Sequence, residues 1–280
     1  MDVADPVQVH HWRAELELEF EAREGRTLLA RRRHEGPLVV QKALYPEGDA
    51  VCHAILVHPP GGMAGGDELI LDARIGAQAH VLLTTPAAAK WYRSIGAWAA
   101  QRARIDVAPG ACVEWLPQEN IFFDGTRANI ALDVALQGDA VFLGWDIYCM
   151  GRRASGEAFT RGECRLRGCL TRDGRPIWFE RGMMHAGDRF FTSAAGLGGS
   201  TVFGTFVAAS ATVDRELVDR CRSEAAPDAR TAVTCTPGVL IVRCLGDSAE
   251  GARDYFQRIW RHVRPALAAR PAKNPRIWNT

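Results

Sequence analysis

From Arg13 to Phe20 the chain alternates without a break. Ala14, Leu16, Leu18 and Phe20 fall on one side, and Arg13, Glu15, Glu17 and Glu19 on the other. A period of two marks a strand with one face buried and the other in water. Shorter stretches of strand character follow at Pro37–Gln41, His53–His58, Glu68–Ile75, His80–Thr85, Cys112–Leu116, Ile130–Leu136 and Val141–Trp145. Turn signals separate them, among them Pro46-Glu47-Gly48-Asp49 and Ala108-Pro109-Gly110. Asp173-Gly174, between Cys164–Thr171 and Pro176–Glu180, reads as a hairpin turn. Val202–Ala211 and Val239–Leu245 read as buried strands.

Helical periodicity is confined to the C-terminal third. Behind Ser248, a candidate N-cap, apolar residues at Ala252, Tyr255, Phe256, Ile259, Trp260 and Val263 share one helical face, and Pro265 is expected to end the helix soon after. A shorter helix is expected behind Asp214, to about Arg222. The reading is a mainly β chain: a large stacked β-sheet (β-solenoid or sandwich-like) with about two α-helices, in one domain over residues 1–280 with residues 1–10 as a flexible tail. No internal repeat or linker is visible. At 280 residues, a fold can bury roughly 70–75% of the unfolded chain's surface, so no disulfide or structural metal is required for a core.

Charge and cysteine usage narrow the function classes. Lys and Arg total 34 and Asp and Glu 33, a formal charge of +1, and this balance argues against a nucleic-acid protein. The run Arg31-Arg32-Arg33-His34 reads as a solvated loop rather than a phosphate grip. The first twenty residues lack a basic start followed by an apolar stretch, so no secretory signal is expected. No segment approaches roughly 18 consecutive apolar residues, so no membrane helix is expected either. The eight cysteines are scattered, mostly within apolar runs, and read as reduced thiols of a cytoplasmic protein.

Searches for chemistry return little. The loop His58-Pro59-Pro60-Gly61-Gly62-Met63-Ala64-Gly65-Gly66-Asp67 lacks the spacing of a nucleotide-binding loop. Its glycine pairs point to positive φ angles or close backbone approach, and Asp67 to a turn residue capping amides. Cys52, His53 and His58 cannot converge from one strand, nor can Cys164 and Cys169. No Cys-x-x-Cys pair occurs, and His10-His11 reads as part of the tail. No serine sits in Gly-x-Ser-x-Gly, and Thr192–Thr201 reads as a flexible loop. Acidic residues remain beside strand ends: Asp67, Glu114, Glu119, Asp124, Asp146, Glu157 and Glu180. Asp146 interrupts the apolar run Val141–Met150, so it is either hydrogen-bonded in the core or lines a wet cavity.

Several stretches form an ordered set. They are Gly36-Pro37-Leu38-Val39-Val40-Gln41, Leu44-Tyr45-Pro46-Glu47, Cys52-His53 and the His58–Asp67 loop. Thr84-Thr85-Pro86-Ala87-Ala88-Ala89-Lys90-Trp91-Tyr92-Arg93-Ser94 and Glu114-Trp115-Leu116-Pro117-Gln118-Glu119 come next. Trp145-Asp146, Gly151-Arg152, Gly156-Glu157-x-Phe159 and Pro275-Arg276-Ile277-Trp278 complete the set. In this order and spacing the chain resembles the UreD/UreH urease accessory proteins along nearly its full length. Met63-Ala64 and Ala88-Ala89 depart mildly from the family pattern, and the second removes a hydroxyl ligand beside Lys90.

The resemblance implies a non-enzymatic, β-rich scaffold that binds UreF, recruits the GTPase UreG through it, docks on apo-urease and assists nickel delivery along an internal polar path. It places Asp67, Asp146 and Glu180 on that path as transient Ni²⁺ contacts, with no tightly bound cofactor. Carboxylate and water ligands suit loose, exchangeable holding of Ni²⁺. The alternative from another class is a hydrolase or lyase with an unrecognised carboxylate or serine site. A nickel-storage protein would need the His-rich or His/Cys cluster that this sequence lacks.

Overall fold

The computed structural model describes residues 12–226 and 228–279; the His10-His11 pair and the tail reading for residues 1–10 fall outside them. The chain enters as a hairpin of β1 (Arg13–Arg23) and β2 (Arg26–Glu35), followed by β3 (Val39–Leu44) and β4 (Val51–Val57). Three laps of similar build follow. The first holds β5 (Gly62–Met63), β6 (Glu68–Ile75) and β7 (His80–Thr84). The second holds β8 (Ala89–Trp91), β9 (Ala99–Val107) and β10 (Cys112–Trp115), and the third β11 (Asn120–Phe122), β12 (Thr126–Leu136) and β13 (Val141–Met150). After these come β14 (Gly162–Arg172), β15 (Arg175–His185), β16 (Val202–Ala209), α1 (Arg215–Ser223), β17 (Ala229–Thr236), β18 (Val239–Gly246) and α2 (Ala249–Ala268).

The laps stack in parallel. His80, Cys112 and Val141 lie side by side in register, as do Glu68 and Ala100 one sheet away. A rise of roughly 30 residues per lap is a solenoid period, so the structure holds a repeat that the sequence does not display. Only backbone register repeats; the side chains do not. The result is two facing sheets: one of seven strands ordered β15-β14-β12-β9-β6-β1-β2, and one whose main path runs β17-β18-β16-β13-β10-β7-β4-β3, with β5, β8 and β11 paired at its side.

The first strand carries its pattern into three dimensions. Ala14, Leu16, Leu18 and Phe20 are buried between the sheets, each large side chain contributing about 1.5–3 kcal/mol relative to exposure. Across the outer face, Glu17 and Glu19 meet Arg31 and Arg33 of β2, and Glu19 also meets Arg74. The basic run is therefore an edge strand and not a loop, because glutamates opposite supply its counter-charges. Charged side chains on an edge also discourage pairing with other chains.

The eleven-stranded sheet is covered on both faces. Its inner side packs on the seven-stranded sheet; its outer side receives α1 and α2, with Tyr255, Phe256, Ile259, Trp260 and Val263 buried against Trp145 and Phe206. Burial on both faces explains why Val141–Met150 reads as a nearly continuous apolar run. Ser248 caps α2 by accepting from the Gly251 amide, and Asp214 caps α1 through the Leu217 amide. Pro265 does not end α2, which continues to Ala268 and closes at Ala269 in the left-handed region. In the last turn the missing amide removes a single hydrogen bond and the remaining turn still packs, through Leu267.

Strands β9 and β17 go unannounced in the sequence. The first carries exposed Arg102 and Arg104 on either side of buried Ala103, and the second is a largely exposed edge strand. Among the described residues no helix is long and apolar enough to cross a membrane.

Candidate functional site

Between the sheets lie two cavities. The larger, about 560 Å³, is lined by residues including Asp146, Tyr148, Trp178, Glu180, Thr205 and Arg243. The second, about 350 Å³, is lined by residues including His58, Lys90, Trp115, Gln118, Asn120 and Asp146. Among the described residues Asp146 alone lines both. Strand alternation puts it there: on β13, Phe142, Gly144, Asp146 and Tyr148 face inward, while Leu143, Trp145 and Ile147 face the helices. Glycines leave the space open. A side chain on Gly168 would strike the Trp178 ring in the cavity wall, and one on Gly144 would strike Phe142 and the Trp115 carbonyl.

Asp146 is poorly compensated for a half-buried carboxylate. Among the described residues its one hydrogen bond comes from the Trp115 indole, 3.4 Å from Oδ1. Burial pushes the carboxyl up to about 7; Trp115 opposes the shift and the charge of Glu180 adds to it. The surface that Asp146 retains opens onto the cavities.

Glu180 reaches the larger cavity from the opposite sheet. Its Oε1 accepts from Arg243 Nη1 at 2.6 Å, and the same nitrogen lies 3.3 Å from Thr205 Oγ1. Asp146, Thr205 and Arg243 are register partners on β13, β16 and β18, so they form one row across the sheet.

Asp67 stands apart. Its Oδ2 accepts from the Ala64 amide at 2.7 Å and its Oδ1 from the Trp12 amide at 3.2 Å, so it caps the glycine loop and the entry to β1. It lines neither cavity, though its charge is felt at His58 in the wall of the second. Burial lowers the His58 pKa and Asp67 partly offsets this. The loop's glycines follow the expected logic. Gly61 and Gly66 have φ of +75° and +100°, while Gly62 lies against the Tyr92 ring and Gly65 against Ser94. The structure thus brings Asp146 and Glu180 together and leaves Asp67 on the flank.

The remaining carboxylates have firm partners. Glu119 pairs with Arg253, Asp124 with Arg161 and the Thr160 amide, and Glu157 with Arg152. Glu114 is the hub of a buried network that sequence reading misses. It accepts from His80 Nε2 at 2.6 Å, Trp260 Nε1 at 2.7 Å and Arg264 Nε at 2.9 Å. Arg264 also reaches Glu47, which bonds His53 at 2.6 Å. Burial alone would raise both carboxyls, but these donors win: Glu114 lies below the usual range, and Glu47 falls to about 2. The signal available beforehand was weak: Arg264 follows Trp260 by four residues and so shares the buried side of α2, but a lone charge at the edge of an apolar face does not reveal its partner.

The tryptophans of the ordered motif set are placed by hydrogen bonds as well as packing. Trp91 donates to Asn120, Trp145 to the Pro117 carbonyl and Trp278 to Thr84. Among the described residues no three His, Cys, Asp or Glu side chains converge to hold a metal ion. Among the described residues Asp146 and Glu180 are the carboxylates that line the larger cavity.

The chain matches known proteins along nearly its full length. The family model described as UreD urease accessory protein matches residues 12–279. The chain is similar to a urease accessory protein UreD of Azoarcus sp. (strain BH72), 50% identical over 96% of this chain and 94% of that protein. It is equally similar, at 50% identity over 96% of this chain and 95% of the relative, to one from Methylobacillus flagellatus. A third, from Dechloromonas aromatica, is 48% identical over 100% of this chain and 99% of its own length.

Proposed function

The chain belongs to the UreD urease accessory protein family, and from that premise we propose that it is a non-catalytic maturation scaffold that hands nickel towards apo-urease. In this reading it works in the cytoplasm, binds UreF, gathers UreG through UreF, and docks the assembly on urease. Nickel is cargo. It moves through the paired cavities in brief carboxylate contacts, with Asp146 at their junction and Glu180 at the open end. The observation that carries the path is that one poorly compensated carboxylate lines both cavities.

The fold suits the task. Two sheets held by backbone register enclose a fixed space, and Asp146 faces it with one long contact from the Trp115 indole among the described residues. Exposed apolar side chains on β15 supply a partner face: Phe179 and Met183 are 59% and 56% exposed, Phe179 on the side of the strand away from Glu180. Exposed apolar residues of this size mark interaction sites. Eight free cysteines, most of them buried, fit a reducing compartment. The hydrolase or lyase reading is not favoured by any contact at Asp146, whose hydrogen-bond partner is an indole.

The test is urease activation in cells or in a purified GTP-dependent assay. Asp146→Asn and Glu180→Gln are expected to lower activation at least severalfold while UreF and apo-urease still co-purify. Full activation by both variants would sink the path; a chain with no affinity for either partner would sink the scaffold.

A further inference from the structure

The contact between Arg243 and Glu180 has a consequence for any cation that travels between the sheets. Glu180 sits on β15 at the edge of one sheet and Arg243 on β18 of the other, so their 2.6 Å bond spans the gap at the open side of the larger cavity. Arg243 lies in the transverse row that runs from Asp146 through Thr205. Both partners keep substantial contact with water, with side-chain exposures of 51% for Arg243 and 34% for Glu180. The pair is thus a latch at the mouth and not a core contact, and it occupies the carboxylate that a divalent ion would meet at that end.

We propose that Arg243 is a tethered counter-cation that holds the Glu180 end of the path closed to divalent cations until one displaces it. This rests on the reading of the cavities as a cation path. The exchange is a ligand swap without bond chemistry. The guanidinium leaves Glu180, a hydrated divalent cation takes its place, and Arg243 turns towards solvent while keeping its proton, because arginine does not deprotonate in proteins. Two carboxylates facing one cavity repel each other, and the resident guanidinium relieves that repulsion when no cargo is present. A charge that must be pushed aside also weakens retention of the ion, which a delivery path requires.

Equilibrium dialysis of the full-length protein against Ni²⁺ tests the latch. Arg243→Gln is expected to bind Ni²⁺ roughly tenfold more tightly than the wild type, because a repelling unit charge a few ångströms from a divalent ion has gone. Arg243→Lys, which keeps the charge, should stay within about twofold of the wild type. Adding Glu180→Gln to Arg243→Gln should abolish the gain. The latch is overturned if Arg243→Gln binds no more tightly, if the Lys variant gains as much, or if the gain survives loss of Glu180. A purely structural salt bridge would lower thermal stability in the Gln variant without raising Ni²⁺ affinity. Failure of the path itself is read separately, as full urease activation by Asp146→Asn and Glu180→Gln.

Discussion

Glu114 and Asp146 lie on neighbouring strands of one sheet, and burial acts on both, yet they end in opposite electrostatic states. Glu114 faces the helices and collects donors from His80, Trp260 and Arg264, which hold its carboxyl below the usual range. Asp146 faces the gap between the sheets, its hydrogen-bond donor among the described residues is the distant Trp115 indole, and its carboxyl rises to about 7. Withdrawal from bulk water is thus a structural device at Glu114, where donors converge, and a functional opening at Asp146, where the side chain keeps some surface in the cavities. Trp115, the residue next to Glu114, serves the other site because successive strand residues point to opposite faces.

The largest effect is expected from breaking the compensated side. Arg264→Ala leaves Glu114 and Glu47 short of their shared cation and should destabilise the fold by about 3–5 kcal/mol, read from urea denaturation. A loss below about 1 kcal/mol would mean that water can replace the guanidinium, and the contrast with Asp146 would collapse.

Titration sharpens the contrast next. Asp146 has a folded pKa raised from 3.8 to about 7. Between those values the folded state keeps a proton that the unfolded chain has released, so stability falls as pH rises through that window. Glu47, lowered from 4.5 to about 2, works in the other direction: its contribution is present above pH 4.5 and is lost as the pH falls towards 2. Asp146→Asn should therefore raise Tm relative to wild type at pH 8 by an amount on the order of 2–4 °C, and by much less at pH 4. Equal shifts at the two pH values would remove the raised pKa from the account.

The smallest effect on stability is expected at the partner face. Phe179→Asp should change unfolding free energy by no more than about 0.5 kcal/mol, while co-purification with UreF falls at least severalfold. Unchanged co-purification would move the partner face elsewhere on the chain.

Much of the sheet structure was legible beforehand because the cause is local. Alternation at Arg13–Phe20 and the Asp173-Gly174 turn act over a few residues, and the strands form where the pattern puts them. The apolar face of α2 was equally readable, although Pro265 was not its end. The stacking period escaped notice because laps repeat backbone register and not side-chain identity. Strand β2 was hidden by its arginines, whose partners lie on β1. At the candidate site, Asp146 was conspicuous as a charge inside an apolar run, whereas Arg243 was one basic residue among many.

Sequence by itself determined the alternating faces, the caps of both helices, the glycine positions of the His58–Asp67 loop and the ordered motif set that marks the family, since each depends on contacts between near neighbours or on residue order. Tertiary structure alone decided which carboxylates are neutralised. Arg264 meets Glu114 from 150 positions away, Arg243 meets Glu180 from 63, and among the described residues Asp146 meets only the Trp115 indole. Donors that distant are delivered by sheet register and helix docking, and the charge state of a buried acid is set by whether they arrive.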